Sequence, residues 1–403
     1  MDFKDTPEEA AFRAEVRAWL AEHAVRYDDR TTGELPLEKR LALGREWQAL
    51  KAERGFAKIT WPREFCGIGG TAMQQVIYQQ EEANYRLPNV YFKVSLGMPL
   101  PILRRFGSPE QQQRYLGPGL RGDEIWCQLF SEPAAGSDLA GVRLRAVRDG
   151  DDWILNGQKI WTSWAQVSDF GVIVTRSDPS VPKHKGMTYF FVDMKSPGIE
   201  VRPIKQISGG EEFNEVYFTD VRVPDSQRLG DVHGGWKVAL ATLMEERFSV
   251  VDVTGGGPDL DHLIRFCEEL ALEDGLAIDD SDVRQRIAEW YTMEQGLKAN
   301  YYRALTTLSN GGLPGPEGAI NKICIPYKLQ QMSKFAMDLM GAGGVLAPSE
   351  GQRASDYFVG WLEAAGYRIA GGTDEILRNT IAEQVLKMPA DVRVDKDVPF
   401  NQL

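Results

Sequence analysis

The chain has 403 residues, enough for two or three structural units and for a large core that needs no disulfide or metal to fold. Hydrophobic residues make up 43% and aromatics 10%, the composition of a globular chain rather than a disordered one. Lys and Arg number 46 against 58 Asp and Glu, and the net charge of −12 excludes a broad nucleic-acid surface, because phosphate binding needs a basic footprint.

The first stretch reads as helical. Thr6-Pro7-Glu8-Glu9 has a capping Thr, a Pro in the first turn and acids that complement the helix dipole. Phe12, Val16, Trp19 and Leu20 then recur at helical spacing. A second helix is expected from Leu37 to Arg54, and others around Met73–Ala83 and Pro109–Leu116. Between them, Trp61-Pro62 through Gly69-Gly70 breaks the pattern and reads as a loop.

From about Asp123 to His233 the signal turns to β. Trp153–Trp161 looks like a hairpin, with Asn156-Gly157 supplying the tight turn. Phe170–Val174, Tyr189–Val192 and Val216–Pro224 read as further strands. Closely spaced strands joined by turns indicate an antiparallel barrel or sandwich. Helical spacing returns over Val238–Phe248, Asp282–Ser309, Gly318–Met340 and Thr373–Lys387, with an interruption at Gly311–Pro316. The fold class is α+β. The expected organisation is an N-terminal helical domain over 1–122, a middle β domain over 123–233, a C-terminal helical domain over 234–388 and a tail over 389–403.

Several chemistries drop out. Cys66, Cys127, Cys267 and Cys324 show no C-x-x-C spacing, and His23, His184, His233 and His262 show no metal-ligand spacing, so no metal is expected. The opening Met1–Asp5 lacks the features of a secretory signal, and no run of about 18 apolar residues marks a membrane span. A cytoplasmic location is expected. There is no G-x-G-x-x-G fingerprint, no phosphate loop and no G-x-S-x-G elbow.

Five segments carry the functional signal. They are Leu129-Phe130-Ser131-Glu132-Pro133-Ala134-Ala135-Gly136-Ser137-Asp138, Gly157–Ser163, Asp220–Pro224, Leu243-Met244-Glu245-Glu246-Arg247 and Gly371-Gly372-Thr373-Asp374-Glu375-Ile376. In the first, small residues leave backbone N–H groups open to a ligand's oxygens. In this order and spacing the set resembles the acyl-CoA dehydrogenase family, over nearly the whole chain. That family consists of flavoproteins with a helical domain, a β domain and a C-terminal helical bundle.

The resemblance implies FAD as cofactor. It places Gln128, Phe130 and Ser131 against the isoalloxazine ring, and Gly136 and Ser137 near the pyrophosphate. Trp161, Thr162 and Ser163 would cover the other side, with Ser163 near flavin N5. Neutral donors of this kind polarise a flavin to accept a hydride. Thr373 and Glu375 match positions near the phosphates and adenosine, Glu375 through its backbone more than its carboxylate. The turn at Gly341 matches one that meets a neighbouring subunit's flavin, which implies an oligomer.

Dehydrogenation of a thioester also needs a base for the α-proton. Many family members carry a Glu before Gly-Thr near the C-terminus, where this chain has Gly371. A subgroup resembling isovaleryl-type dehydrogenases carries it instead in L-x-x-E-R, and Glu246 matches that position. Gly371 would retain a substrate role through its backbone N–H, which can polarise the thioester carbonyl. Arg247 is assigned to substrate binding as a local cation for CoA. The implied reaction converts an acyl-CoA to the trans-2-enoyl-CoA, with electrons passed to an electron-transfer flavoprotein.

Two departures qualify the resemblance. The Arg-x-Gln-Phe-Gly that often follows the E-R pair is missing, replaced by an acidic stretch from Thr254 to Asp282, and Asp338 stands where a Gln is common. Here the chain resembles subunits of actinobacterial dehydrogenases that act on steroid side chains as mixed tetramers. A homo- or hetero-tetramer is expected, with bulky or branched acyl chains and a pocket shaped near Gly97 and Pro99. The alternatives are a non-catalytic subunit that completes a partner's site, and a flavin oxidase or monooxygenase on the same fold.

Overall fold

A computed structural model describes residues 5–33, 35–249, 257–309, 312, 315–346 and 356–403. The described residues up to Ser249 form one compact unit together with the tail from Val392, and those between 250 and 391 form another.

The first unit begins with helices α1 (Pro7–His23), α2 (Asp29–Thr32), α3 (Leu37–Arg54), α4 (Ala72–Glu82), α5 (Val90–Gly97), α6 (Pro99–Phe106) and α7 (Pro109–Arg121). The start of α1 is a reciprocal capping box: Glu9 N–H donates to Thr6 Oγ1 at 3.2 Å, and Thr6 N–H donates to Glu9 at 2.8 Å. Val16, Leu20, Trp47, Phe56 and Ile77 pack into one apolar cluster beneath these helices. Sequence spacing missed α5 and α6. Residues 91, 92, 95 and 97–103 are all buried, and each helix is only eight residues long, so the apolar run outweighs the few polar positions at Lys93, Arg104 and Arg105.

The middle of the chain forms a curled sheet of seven strands: β1 (Trp126–Leu129), β2 (Arg145–Asp149), β3 (Asp152–Ser163), β4 (Phe170–Arg176), β5 (Met187–Asp193), β6 (Ile199–Pro203) and β7 (Phe213–Pro224). Most pairings are antiparallel, as expected. However, β1 runs parallel to β4, with Gln128 opposite Val172. The excursion through β2 and β3 between them is long enough to return the chain in the same direction.

The expected hairpin turn at Asn156-Gly157 is not a turn. β3 runs straight through both residues, and the chain reverses instead between Asp149 and Asp152. Gly157 marks a bulge in the pairing with β7, at φ +147°. A Cβ there would lie 2.9 Å from Leu144 Cα. Close approach of a neighbouring segment, not a reversal, is what calls for glycine at 157.

Apolar clusters cover both faces of the sheet. One, with Trp126, Val172, Tyr189 and Phe191, joins it to α6, α7 and α8 (Gly235–Ser249). The other, with Leu129, Leu155, Phe190 and Val221, fills the inside of the curl. Helix α8 lies directly on β5: a Cβ on Gly235 would come 2.8 Å from Thr188 carbonyl carbon, and Tyr189 Oη meets Thr242 Oγ1 at 3.0 Å. The tail returns to the sheet's connection after β4. Phe400 N–H donates to Val181 O at 3.0 Å, and the Arg176 guanidinium sits 3.9 Å over the Phe400 ring.

The second unit holds α9 (Leu260–Glu269), α10 (Ser281–Ser309), α11 (Gly318–Leu339), α12 (Asp356–Tyr367) and α13 (Asp374–Thr380). Leu263, Cys267, Met332 and Ala336 centre its core. The acidic stretch supplies caps: Asp259 accepts from His262 N–H at 2.8 Å, and Asp280 from Asp282 N–H at 2.8 Å. The helix expected over Thr373–Lys387 leaves α geometry after Thr380, with a single π turn at Ile381–Val385. Gly311, Leu313 and Pro314 of the interruption at 311–316, and the stretch 250–256, fall outside the described residues. No described helix is long and apolar enough to cross a membrane.

Candidate active site

The chain leaves β1 at Leu129 and enters the 130–138 loop. The loop is tied to β3 at successive backbone groups. Ile160 N–H donates to Ser131 O at 2.9 Å, and Lys159 Nζ donates to Phe130 O at 3.0 Å. Glu132 and Ala135 bond each other through both backbone groups, at 2.9 and 3.0 Å, closing a small ring. Two segments distant in sequence, 128–137 and 161–163, are thereby held side by side.

The clamp is a buried ion pair. Lys159 has no exposed surface and Glu132 is 7% exposed; Lys159 Nζ lies 2.8 Å from Glu132 Oε1. Glu132 also accepts from Arg143 N–H at 2.6 Å and Leu144 N–H at 3.0 Å. Burial pulls the Lys159 pKa below its ordinary value, while Glu132 pulls it back up. Nearby, buried Arg176 donates to the carbonyls of Ala140, Val142 and Lys183 at 2.5, 3.3 and 2.6 Å. Desolvation lowers its pKa to about 10. Lys159 and Glu132 are not among the site residues the sequence leads one to expect. The signal was available: a lysine at an inward strand position, one segment away from an acid set among small residues.

The strand then reaches Trp161 at φ +60° and Trp164 at φ +57°. Left-handed backbone at a bulky residue is uncommon and strained, and such strain gathers at functional sites. Trp161 is 55% exposed, its ring edge-on to Phe213 at 6.2 Å. Thr162 is buried, and its Oγ1 has no hydrogen-bond partner. Ser163 and Ser131 are partly exposed, while Gly136 and Ser137 are exposed. A Cβ at Gly136 would meet nothing within 4 Å. Gln128 is half-buried, and Phe130 is buried edge-on to Tyr189 at 5.9 Å.

These features fit a flavin. A large aromatic left open at a strained bulge, neutral hydroxyls beside it and an open glycine turn together make an uncharged cradle with hydrogen-bonding capacity to spare. Among the described residues no group of three or more His, Cys, Asp or Glu could hold a metal ion.

Glu246 and Arg247 lie on α8, but their side chains are outside the described residues. In the second unit, Thr373 caps α13, accepting from Ile376 N–H at 3.3 Å. Glu375 is exposed in the first turn of α13. Gly371 and Gly372 have φ of +64° and +99°, and Lys322 Nζ donates to the Gly372 carbonyl. Gly341 is exposed at φ +56°, and Asp338 pairs with Lys334 at 2.6 Å.

The chain belongs to the acyl-CoA dehydrogenase family of flavoprotein oxidoreductases. The family's N-terminal domain matches residues 6–123, its middle domain 127–221 and its C-terminal domain 233–386. The chain is similar to acyl-CoA dehydrogenase IpdE1 of Mycobacterium tuberculosis, at 35% identity over 95% of this chain and 98% of the relative. It is equally similar, at 35% identity over 96% of its length, to acyl-CoA dehydrogenase FadE34 of the same organism, of which it spans half. Among solved structures, the ChsE4–ChsE5 complex of M. tuberculosis matches with a TM-score of 0.79 and 27% identity, over 97% of this chain and 100% of that one. The Tcur3481–Tcur3483 steroid acyl-CoA dehydrogenase matches with a TM-score of 0.78 and 27% identity, over the same shares.

Proposed function

We propose that the protein catalyses α,β-dehydrogenation of an acyl-CoA thioester to the trans-2-enoyl-CoA, using FAD and an electron-transfer flavoprotein. The observation that carries this reading is the clamped pair of segments, 128–137 and 161–163. Their exposed edge offers an uncharged cradle on a rigid, ion-paired base.

Bound there, FAD supplies the acceptor for the β-hydride. Gln128, Phe130, Ser131, Trp161, Thr162 and Ser163 are assigned to its ring system, and Gly136 and Ser137 to its pyrophosphate. Gly341, Thr373 and Glu375 are assigned to FAD by the family resemblance. Glu246 takes the α-proton. It stands four residues beyond the buried Thr242, one helical turn along α8. Arg247 is assigned to the CoA portion and the N–H of Gly371 to the thioester carbonyl, where a fixed donor stabilises developing negative charge.

Glu246→Gln tests the assignment. With FAD still bound, the rate of anaerobic flavin bleaching by acyl-CoA should fall about a thousandfold, within the range for loss of a general base. A near-wild-type rate would remove Glu246 as the base.

A second reading concerns assembly. Two of the similar structures are described as two-component assemblies, and the Arg-x-Gln-Phe-Gly segment is missing here. Both support a mixed tetramer in which a partner subunit completes some flavin sites. Stoichiometric FAD and full turnover in the chain purified alone would rule that out.

A further inference from the structure

A second set of charged groups in the first unit plays no part in the cradle. The loop after α3, helix α6 and helix α8 border a cavity of about 330 Å³, lined by Trp61, Pro101, Arg104, Arg105 and Glu245. Pockets for small ligands begin at about this size. The Arg104 guanidinium lies 4.7 Å from the centre of the Trp61 ring, and Lys58 Nζ lies 5.9 Å from it. Lys58 also donates to Leu96 O at 3.2 Å. Burial lowers the Lys58 pKa, with Glu245 opposing and Arg104 reinforcing the shift. Neither Arg104 nor Arg105 has an ion-pair partner among the described residues. Among the described residues, Lys58 and Arg104 thus flank one indole, and Arg105 and Glu245 line the same cavity, in a chain of net charge −12.

The wall is rigid. Gly67 N–H donates to Pro62 O at 3.2 Å and Gly69 N–H to Trp61 O at 2.7 Å, folding the loop back on itself. A Cβ on Gly67 would fall 2.0 Å from Trp61 O and 2.4 Å from Lys58 O. Only glycine lets the backbone of the loop close this tightly, and the closure fixes Lys58 and Trp61 in place. Guanidinium groups with no ion-pair partner among the described residues, beside a flat apolar wall, suit an anion with an apolar body. A carboxylate matches the planar fork of arginine in two parallel hydrogen bonds.

We propose that this cavity receives the far end of the acyl group, and that this end carries a carboxylate held by Arg104 and Arg105 against Trp61. The substrate class is then the mono-CoA thioester of a dicarboxylic acid with an apolar body. The proposal rests on the acyl-CoA dehydrogenase reading, because Glu245 borders the cavity and adjoins Glu246 on α8. The alternative source of the same anionic chemistry is a CoA phosphate, and the test separates the two.

The experiment uses the flavin-loaded protein and pairs of acyl-CoAs with the same carbon skeleton, one ending in a carboxylate and one in a methyl group. Anaerobic bleaching should favour the carboxylate end by about tenfold or more in kcat/KM, as expected for a charged hydrogen-bonded pair. Arg104→Gln, alone or with Arg105→Gln, should bring that ratio close to one, and Arg104→Lys should restore part of it. Arg63→Gln, an exposed cation on the same loop outside the cavity lining, should leave the ratio unchanged. Bleaching with no preference in the wild type overturns the proposal and leaves the dehydrogenase reading standing. An equal loss for both end groups in Arg104→Gln assigns the cations to CoA phosphate and also overturns it. No bleaching by either thioester overturns the activity and the proposal together.

Discussion

The sheet and the C-terminal helical unit differ in how deeply they bury paired cations. In the sheet, Lys159 is fully buried against Glu132, and buried Arg176 is bonded to three carbonyls. In the helical unit, Lys334–Asp338 and Arg286–Glu289 lie at the surface, and buried Asp374 is paired with the partly exposed Arg368. That unit also leaves apolar side chains such as Tyr291 and Leu386 exposed. The sheet completes its own interior and can hold a cradle rigidly. The helical unit leaves apolar surface of the kind that assembly would bury, in keeping with the oligomeric reading.

The contrast can be broken at several points. Lys159→Met leaves the Glu132 carboxylate and the Phe130 carbonyl buried without their partner. It should cost about 3–5 kcal/mol in urea unfolding and lower FAD retention. A loss under about 1 kcal/mol would mean the buried pair is not what clamps the loop. Gly157→Ala drives a methyl into Leu144 and should cost roughly 2–3 kcal/mol.

Acid should find the sheet next. Asp225 is held down to a pKa of about 2, chiefly by the Arg228 guanidinium, with Trp153 Nε1–H also donating at 2.7 Å. A depressed carboxylate contributes stability that is fully present above its unfolded value near 3.8 and is lost as pH falls toward about 2. Up to about 2 kcal/mol should disappear over that window. Asp225→Asn should flatten the acid limb of a stability-versus-pH curve, and an unchanged limb would remove Asp225 as a contributor.

In the helical unit the same kinds of change should do little. Lys328→Met breaks a 3.0 Å pair with Glu294 and should cost about 1 kcal/mol or less. Gly296→Ala, inside α10 with open space around the new methyl, should raise stability by about 0.5–1 kcal/mol. Thermal unfolding of both variants would show whether this unit is as tolerant as its open packing implies.

Local rules carried much of the fold. Capping, helical spacing and strand-like apolar runs are properties of neighbouring residues, so Thr6–Glu9, Leu37–Arg54 and Phe170–Val174 could be read directly from the chain. The motif order likewise indicated the family and the expected cradle residues. Tertiary structure decided what depends on contacts between distant segments. It made Gly157 a bulge because Leu144 lies against it, and it turned the mostly apolar run 90–106 into two short helices, α5 and α6. It returned the tail from Val392 to the sheet through Phe400 and Arg176. It also joined Glu132 to Lys159, and Lys58 to Trp61, Arg104 and Glu245. A charge's role is set by its partner and its burial, and neither exists until the chain has closed around it.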